Sequence, residues 1–191
     1  MGTLRILSCC CALLLAGCFF QTRDPEPPVI GGGCEVDFLF NDSYEAVVHN
    51  LEGAFLCGDA NEYLDVISAD FLYVPTPLLE ANYPDAFDQP WTKVQERNFI
   101  QTTFQDARFD AALTDSIISG PTEDGSLIRL TAQYLIKEVD ALGNELGPRY
   151  DDTADLVFIR EGLFVRLLEW RDTGAGSLPF GDRRGSQGGG L

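Results

Sequence analysis

Three polar side chains share a phase with apolar residues in the C-terminal half of the chain, where the pattern alternates. Tyr134 falls in the run Ile128, Leu130, Ala132, Tyr134, Ile136, with Arg129, Thr131, Gln133 and Lys137 interleaved. Asp152 is in phase with Tyr150, Ala154, Leu156 and Phe158, and Arg166 with Phe164, Leu168 and Trp170. Alternation of this kind marks half-buried strands. If those faces line an interior, an aspartate, an arginine and a tyrosine stand there among apolar groups. Such a trio suits ligand orientation or acid–base work, because a general base needs hydrogen-bond reach of the proton it takes. The same trio also suits a core fixed by a paired charge, since buried charges are tolerated when paired.

The remaining chemistry is sparse. The chain has no P-loop and no His-Glu-x-x-His. It also lacks Gly-x-Ser-x-Gly, because Gly174-Ala175-Gly176-Ser177 has the wrong spacing. No cofactor is implied. His49 is the only histidine and falls off the apolar stripe of its helix, which predicts a surface position. No Cys-x-x-Cys follows residue 18 and the acids form no calcium loop, so no metal site is expected. The formal charge of −17 and the presence of only two lysines exclude nucleic acid as a natural partner, since phosphate binding needs clustered cations. Most of that charge falls in the core, which holds 26 acids and 9 bases over residues 35–171.

Local signals predict the elements that would position these groups. Asp42 with Glu45 reads as a helix cap, followed by Val47, Val48, Leu51, Ala54 and Phe55 at helical spacing. Gly58 stops that helix. Asp59 with Glu62 opens a second, with Leu64, Ile67 and Phe71 as its stripe. A proline-rich loop over 73–91 follows, and Thr92 with Gln95 caps a third helix reaching about Phe104. From Arg108 the period changes to two, with strands over about 108–118, 128–137, 149–159 and 163–171 and a tight turn at Glu161-Gly162. Helices first and an antiparallel meander after them make an α+β domain.

The N-terminus reads as an address. Arg5 precedes an uncharged stretch from Ile6 to Gly17, too short to span a bilayer and suited to a secretory signal. Its end, Leu15-Ala16-Gly17-Cys18, resembles the bacterial lipobox. That resemblance implies cleavage before Cys18 and a diacylglycerol on its thiol. Phe19, where inner-membrane retention would use Asp, implies an outer-membrane anchor facing the periplasm. Cys9, Cys10 and Cys11 would leave with residues 1–17. Cys34 and Cys57 then remain in a compartment that permits disulfides. They are either a bonded pair or two separate buried thiols. Residues 18–34 carry three prolines and three consecutive glycines and read as a tether. Residues 173–191 are glycine-rich and predict a disordered tail, with Arg183-Arg184 as a solvated spot.

Between them, residues 35–172 resemble the nuclear transport factor 2-like superfamily, also called SnoaL-like or ketosteroid-isomerase-like. The resemblance rests on Val47, Val48 and Leu51 in the first helix, on the run Gly58–Pro75, and on the terminal phrase Leu163–Asp172. It implies a cone: a curved antiparallel sheet wrapped around N-terminal helices, with an apolar pocket. Members include isomerases, cyclases and dehydratases as well as modules without chemistry, so fold alone does not assign a function. Three readings follow. The first is a membrane-tethered, non-enzymatic cone that binds an apolar small ligand or an envelope protein. The second is an isomerase or dehydratase with Asp152 as base. The third is a structural module that dimerises through its sheet.

Overall fold

The computed structural model describes residues 34–119, 126–140 and 142–188. The expected signal peptide, Cys18 and the tether as far as residue 33 lie outside the described residues.

Helix α1 (Tyr44–Cys57) is capped by Ser43, one residue beyond the expected Asp42, and the Ser43 hydroxyl accepts from the Ala46 amide. It ends at Gly58, whose φ of 63° is the left-handed conformation in which glycine carries no Cβ penalty. The side chain of Asp59 accepts from the Asn61 and Glu62 amides and opens α2 (Ala60–Val66). This helix is shorter than its apolar stripe suggested. Ile67 and Phe71 belong instead to strand β1 (Ile67–Val74), because a β-rich run follows Val66 directly. The expected proline-rich loop holds two short helices, α3 (Pro77–Asn82) and α4 (Pro84–Phe87), each begun by a proline whose missing N–H costs nothing at that position. Strand β2 (Trp91–Thr92) leads into α5 (Lys93–Asp106), where Thr92 and Gln95 form a full capping box.

Four long strands follow: β3 (Arg108–Ser119), β4 (Leu127–Val139), β5 (Glu145–Glu161) and β6 (Phe164–Asp172). The sheet order is β2-β1-β6-β5-β4-β3. Neighbours run antiparallel except β1 and β6, which are parallel. The fold is α+β, with a curved, unclosed sheet packed against the helices. Its core combines Val47, Leu51 and Phe55 of α1 with Tyr63, Phe71, Ile100, Phe109, Leu156 and Trp170. Cys34 and Cys57 are joined by a disulfide that ties the start of the described chain to the end of α1. His49 is exposed.

The C-terminal stretch departs most from expectation. Residues 173–188 are not a disordered tail. They turn back along β5, where the Asp151 amide donates to the Leu178 carbonyl and the Ser177 amide to the Asp151 carbonyl. They finish as helix α6 (Gly181–Gly188). The glycines that suggested disorder let this segment approach its surroundings closely. A Cβ on Gly181 would sit 1.8 Å from the Tyr73 hydroxyl, and one on Gly185 would sit 2.4 Å from the Tyr83 ring.

Candidate functional site

The interior of the cone is filled by the chain's own C-terminus. Phe180 is wholly buried, with ring centroids of Tyr150, Phe55, Phe99 and Phe109 at 5.1, 5.5, 5.6 and 5.9 Å. Arg184, expected to be solvated, is also wholly buried. Its Nε donates to Glu96 Oε2 at 3.0 Å and its Nη2 to Glu96 Oε1 at 2.8 Å, a two-pronged charge-assisted pair. Glu96, on α5, is fully buried too. It also accepts from the Tyr63 hydroxyl at 2.5 Å and the Trp91 indole N–H at 2.7 Å. The Arg184 guanidinium lies 4.3 Å from the Tyr73 ring centroid, 5.2 Å from Trp170 and 5.4 Å from Phe99. These are cation–π distances. Its Nη1 is buried without a hydrogen-bond partner among the described residues.

A second carboxylate fastens the neck of the tail. Asp172 Oδ2 accepts from the Tyr73 hydroxyl at 2.5 Å and the Gly181 amide at 3.2 Å. Asp172 Oδ1 accepts from the Trp170 indole at 2.9 Å and the Tyr134 hydroxyl at 3.0 Å. Burial pushes the Asp172 carboxyl up from its ordinary range, against the pull of Arg184 and these donors. Burial also raises Tyr63, Tyr73 and Tyr134 well above the usual phenol value, with a nearby carboxylate adding to each shift. For Arg184, burial alone would lower the value, yet Glu96 and the neighbouring tyrosines hold it above the usual guanidinium range.

The three residues singled out by phase separate. Tyr134 is buried and faces the interior; its hydroxyl donates to Asp172 and accepts from the Phe180 amide at 2.9 Å. Asp152 is wholly buried and is the register partner of Tyr134 across β4 and β5. Both its oxygens hold the tail, Oδ2 accepting from the Gly174 amide at 3.0 Å and Oδ1 from the Gly176 amide at 2.6 Å. Arg166 is elsewhere. It bonds the Asp65 carbonyl and pairs with Asp65 at 3.4 Å and Glu161 at 3.5 Å near the β5–β6 turn. It therefore makes no pair with Asp152. The cause is a bulge: Phe158 faces Leu167 and Val157 faces Glu169, so Leu168 is an extra residue on β6. Before it Val165 and Leu167 point inward, and after it Trp170 and Asp172 do. Counting back from Trp170 across the bulge put Arg166 on the wrong face.

The residues that reasoning from phase missed are Glu96, Asp172 and Arg184. One signal was present. Gly181, Gly185 and Gly188 recur at helical spacing, which marks a close-packed helix face. Among the described residues no group of three or more His, Cys, Asp or Glu side chains is placed to hold a metal ion, and no helix is long and apolar enough to cross a membrane. The grooves outside the cone include one of about 550 Å³ between Asn82–Ala86 and the outer side of α6.

No family model matches the chain, and no curated protein matches it. Solved structures do match in fold. A candidate aromatic ring hydroxylase from Novosphingobium aromaticivorans superposes with a TM-score of 0.53 at 13% identity, covering 73% of this chain and 93% of that one. A candidate calcium/calmodulin-dependent protein kinase type II association domain from Thiobacillus denitrificans gives 0.51 at 15% identity, with 70% and 96% covered. A protein of unknown function with a cystatin-like fold from Nostoc punctiforme gives 0.50 at 12% identity, with 72% and 92% covered. These likenesses support a cystatin-like, cone-shaped fold for this chain. At such identities they extend to fold alone.

Proposed function

We propose that the protein is a lipid-anchored binding module of the bacterial cell envelope, held through Cys18 to the outer membrane and facing the periplasm. Its cone binds an apolar small ligand or an envelope protein and carries out no reaction of its own. The observation that supports this reading is the occupied interior. Asp152, Asp172 and Glu96, the buried carboxylates among the described residues, are each bonded by groups of the same chain, and the C-terminal segment supplies a partner to all three. A general base needs reach of its substrate, and here that reach is taken by the segment from Gly174 to Arg184. A cone whose cover is one short segment, residues 173–188, suits a binder that opens on meeting its partner. The acidic core would be repelled by anionic headgroups, so a covalent anchor with a spacer suits it better than direct docking on lipid.

Two measurements test this. Cys18→Ser should move the protein from the membrane fraction to the soluble fraction and abolish acyl labelling; unchanged fractionation overturns the anchor. Native-state hydrogen exchange should show the amides of 181–188 opening locally, well before those of β4 and β6. Exchange of these amides only on global unfolding would overturn the opening cone.

A further inference from the structure

We propose that the interior of the cone is a receptor for guanidinium cations, and that Arg184 of the C-terminal segment occupies it as an intramolecular stand-in for the ligand. This rests on the binding-module reading and narrows it: what enters the cone is the guanidinium of an envelope protein or of a small molecule, in place of a wholly apolar ligand. The receiving surface is built from elements other than the tail. Glu96 is oriented from α5, and two neutral donors already fix its carboxylate: the Tyr63 hydroxyl of α2 and the Trp91 indole of β2. Tyr73, Phe99 and Trp170 supply ring faces around the cation. A carboxylate held in place by neutral donors and walled by aromatic rings is the arrangement that selects a flat, weakly hydrated cation able to form two parallel hydrogen bonds.

The occupant, by contrast, is removable. Helix α6 has eight described residues, three of them glycines at 181, 185 and 188. The interior Gly185 costs about 1 kcal/mol of helix propensity relative to alanine, and so short a helix has no stability apart from its docking. No disulfide holds it, since Cys34 and Cys57 are bonded to each other at the opposite end of the described chain. Arg184 also fills the site incompletely, because Nη1 lies buried without a partner. A ligand that carries its own acceptor beside the guanidinium would satisfy that group.

The two tryptophans of the protein, Trp91 and Trp170, both stand in the wall of this site, so their fluorescence reads its occupancy. The test uses the full chain with Cys18→Ser, titrated with arginine amide at constant ionic strength and with lysine amide as the control. In the wild type, arginine amide should change tryptophan fluorescence saturably and speed hydrogen exchange at 181–188, while lysine amide does neither. In Arg184→Ala the same fluorescence change should need at least about tenfold less arginine amide, because the tail no longer competes. Adding Glu96→Gln should remove the response. A second arm replaces arginine amide with a short peptide carrying one internal arginine. A response to the peptide alone assigns the cation to a protein partner, and a response to both assigns it to a small molecule as well.

The proposal is overturned if neither arginine amide nor the arginine peptide changes exchange at 181–188 in the wild type, an arm that needs no variant to fold. It is equally overturned if the response survives Glu96→Gln. Local opening of 181–188 without any effect of either arginine amide or the arginine peptide would discard the guanidinium site and leave the binding module standing. Absence of local opening would remove both.

Discussion

Asp152 is the residue whose meaning changes most when its partners are known. A wholly buried aspartate facing a tyrosine across two strands has the ingredients of a catalytic base. Both of its oxygens, however, accept backbone amides from Gly174 and Gly176, and so it works as a clamp on the returning chain. Asp152→Asn would turn one of those acceptors into a donor facing an N–H. A buried donor left unsatisfied costs about 1–3 kcal/mol. The loss falls on the tail, so trypsin should cut after Arg183 and Arg184 roughly ten times faster or more. The far-UV circular dichroism of the sheet should stay as in the wild type. A fall in global stability without faster cleavage of the tail would place the role of Asp152 in the sheet instead. Arg184 and Glu96 make the complementary case. Removing either partner of a buried ion pair leaves the other uncompensated, at about 3–5 kcal/mol, whereas the intact pair is no proof of net stabilisation.

At the scale of elements, α6 shows how composition misleads when read without its surroundings. Glycine-rich sequence is poor helix and good linker, and over 173–191 that intrinsic preference outweighs the one contrary signal, the helical spacing of Gly181, Gly185 and Gly188. The cone reverses it, because only a side with no Cβ fits against Tyr73, Leu79 and Tyr83. The order of two substitutions tests this account. Gly181→Ala meets the Tyr73 hydroxyl and Asp172 in the buried core, where nothing can move aside, and should undock the tail outright. Gly185→Ala meets Tyr83, a half-buried side chain at the margin of the fold rather than in its buried core, and should cost less. Tryptic cleavage after Arg184 ranks the two. Equal rates, or a larger effect at Gly185, would contradict the close packing at Gly181.

The molecule as a whole carries an alkaline signature. Tyr63, Tyr73 and Tyr134 are held neutral in the fold by burial and by adjacent carboxylates, with values raised from about 10. In the unfolded chain they ionise at that ordinary value. The folded state then binds more protons than the unfolded one, so stability is complete below pH 10 and declines as pH rises toward the folded values. Phenolate absorbance should therefore appear for these three of the six tyrosines in one cooperative step with loss of the near-ultraviolet circular dichroism. Three independent one-proton titrations near pH 10 with the tertiary signal intact would show that they are not buried together. This step would also release the tail, since Tyr134 accepts the Phe180 amide and Tyr73 shares Asp172 with Gly181.

What the sequence determined by itself is what short-range chemistry determines. The Asp59 cap, the Thr92–Gln95 capping box and the glycine at 58 act within a few residues, and each lies where local spacing places it. The alternation over 128–136 likewise depends only on the pleat, and Leu130, Ala132, Tyr134 and Ile136 are buried as that alternation requires. The tertiary structure alone decided the rest. One extra residue at Leu168 reverses the face of Arg166, and nothing in the composition of β6 announces a bulge that exists only against β5. Arg184 is buried because Glu96, 88 residues earlier, waits for it in a ring-lined cavity. An isolated helix of this length and glycine content has no reason to form; it forms because the fold offers a charge, three aromatic faces and the space that three missing Cβ atoms leave free.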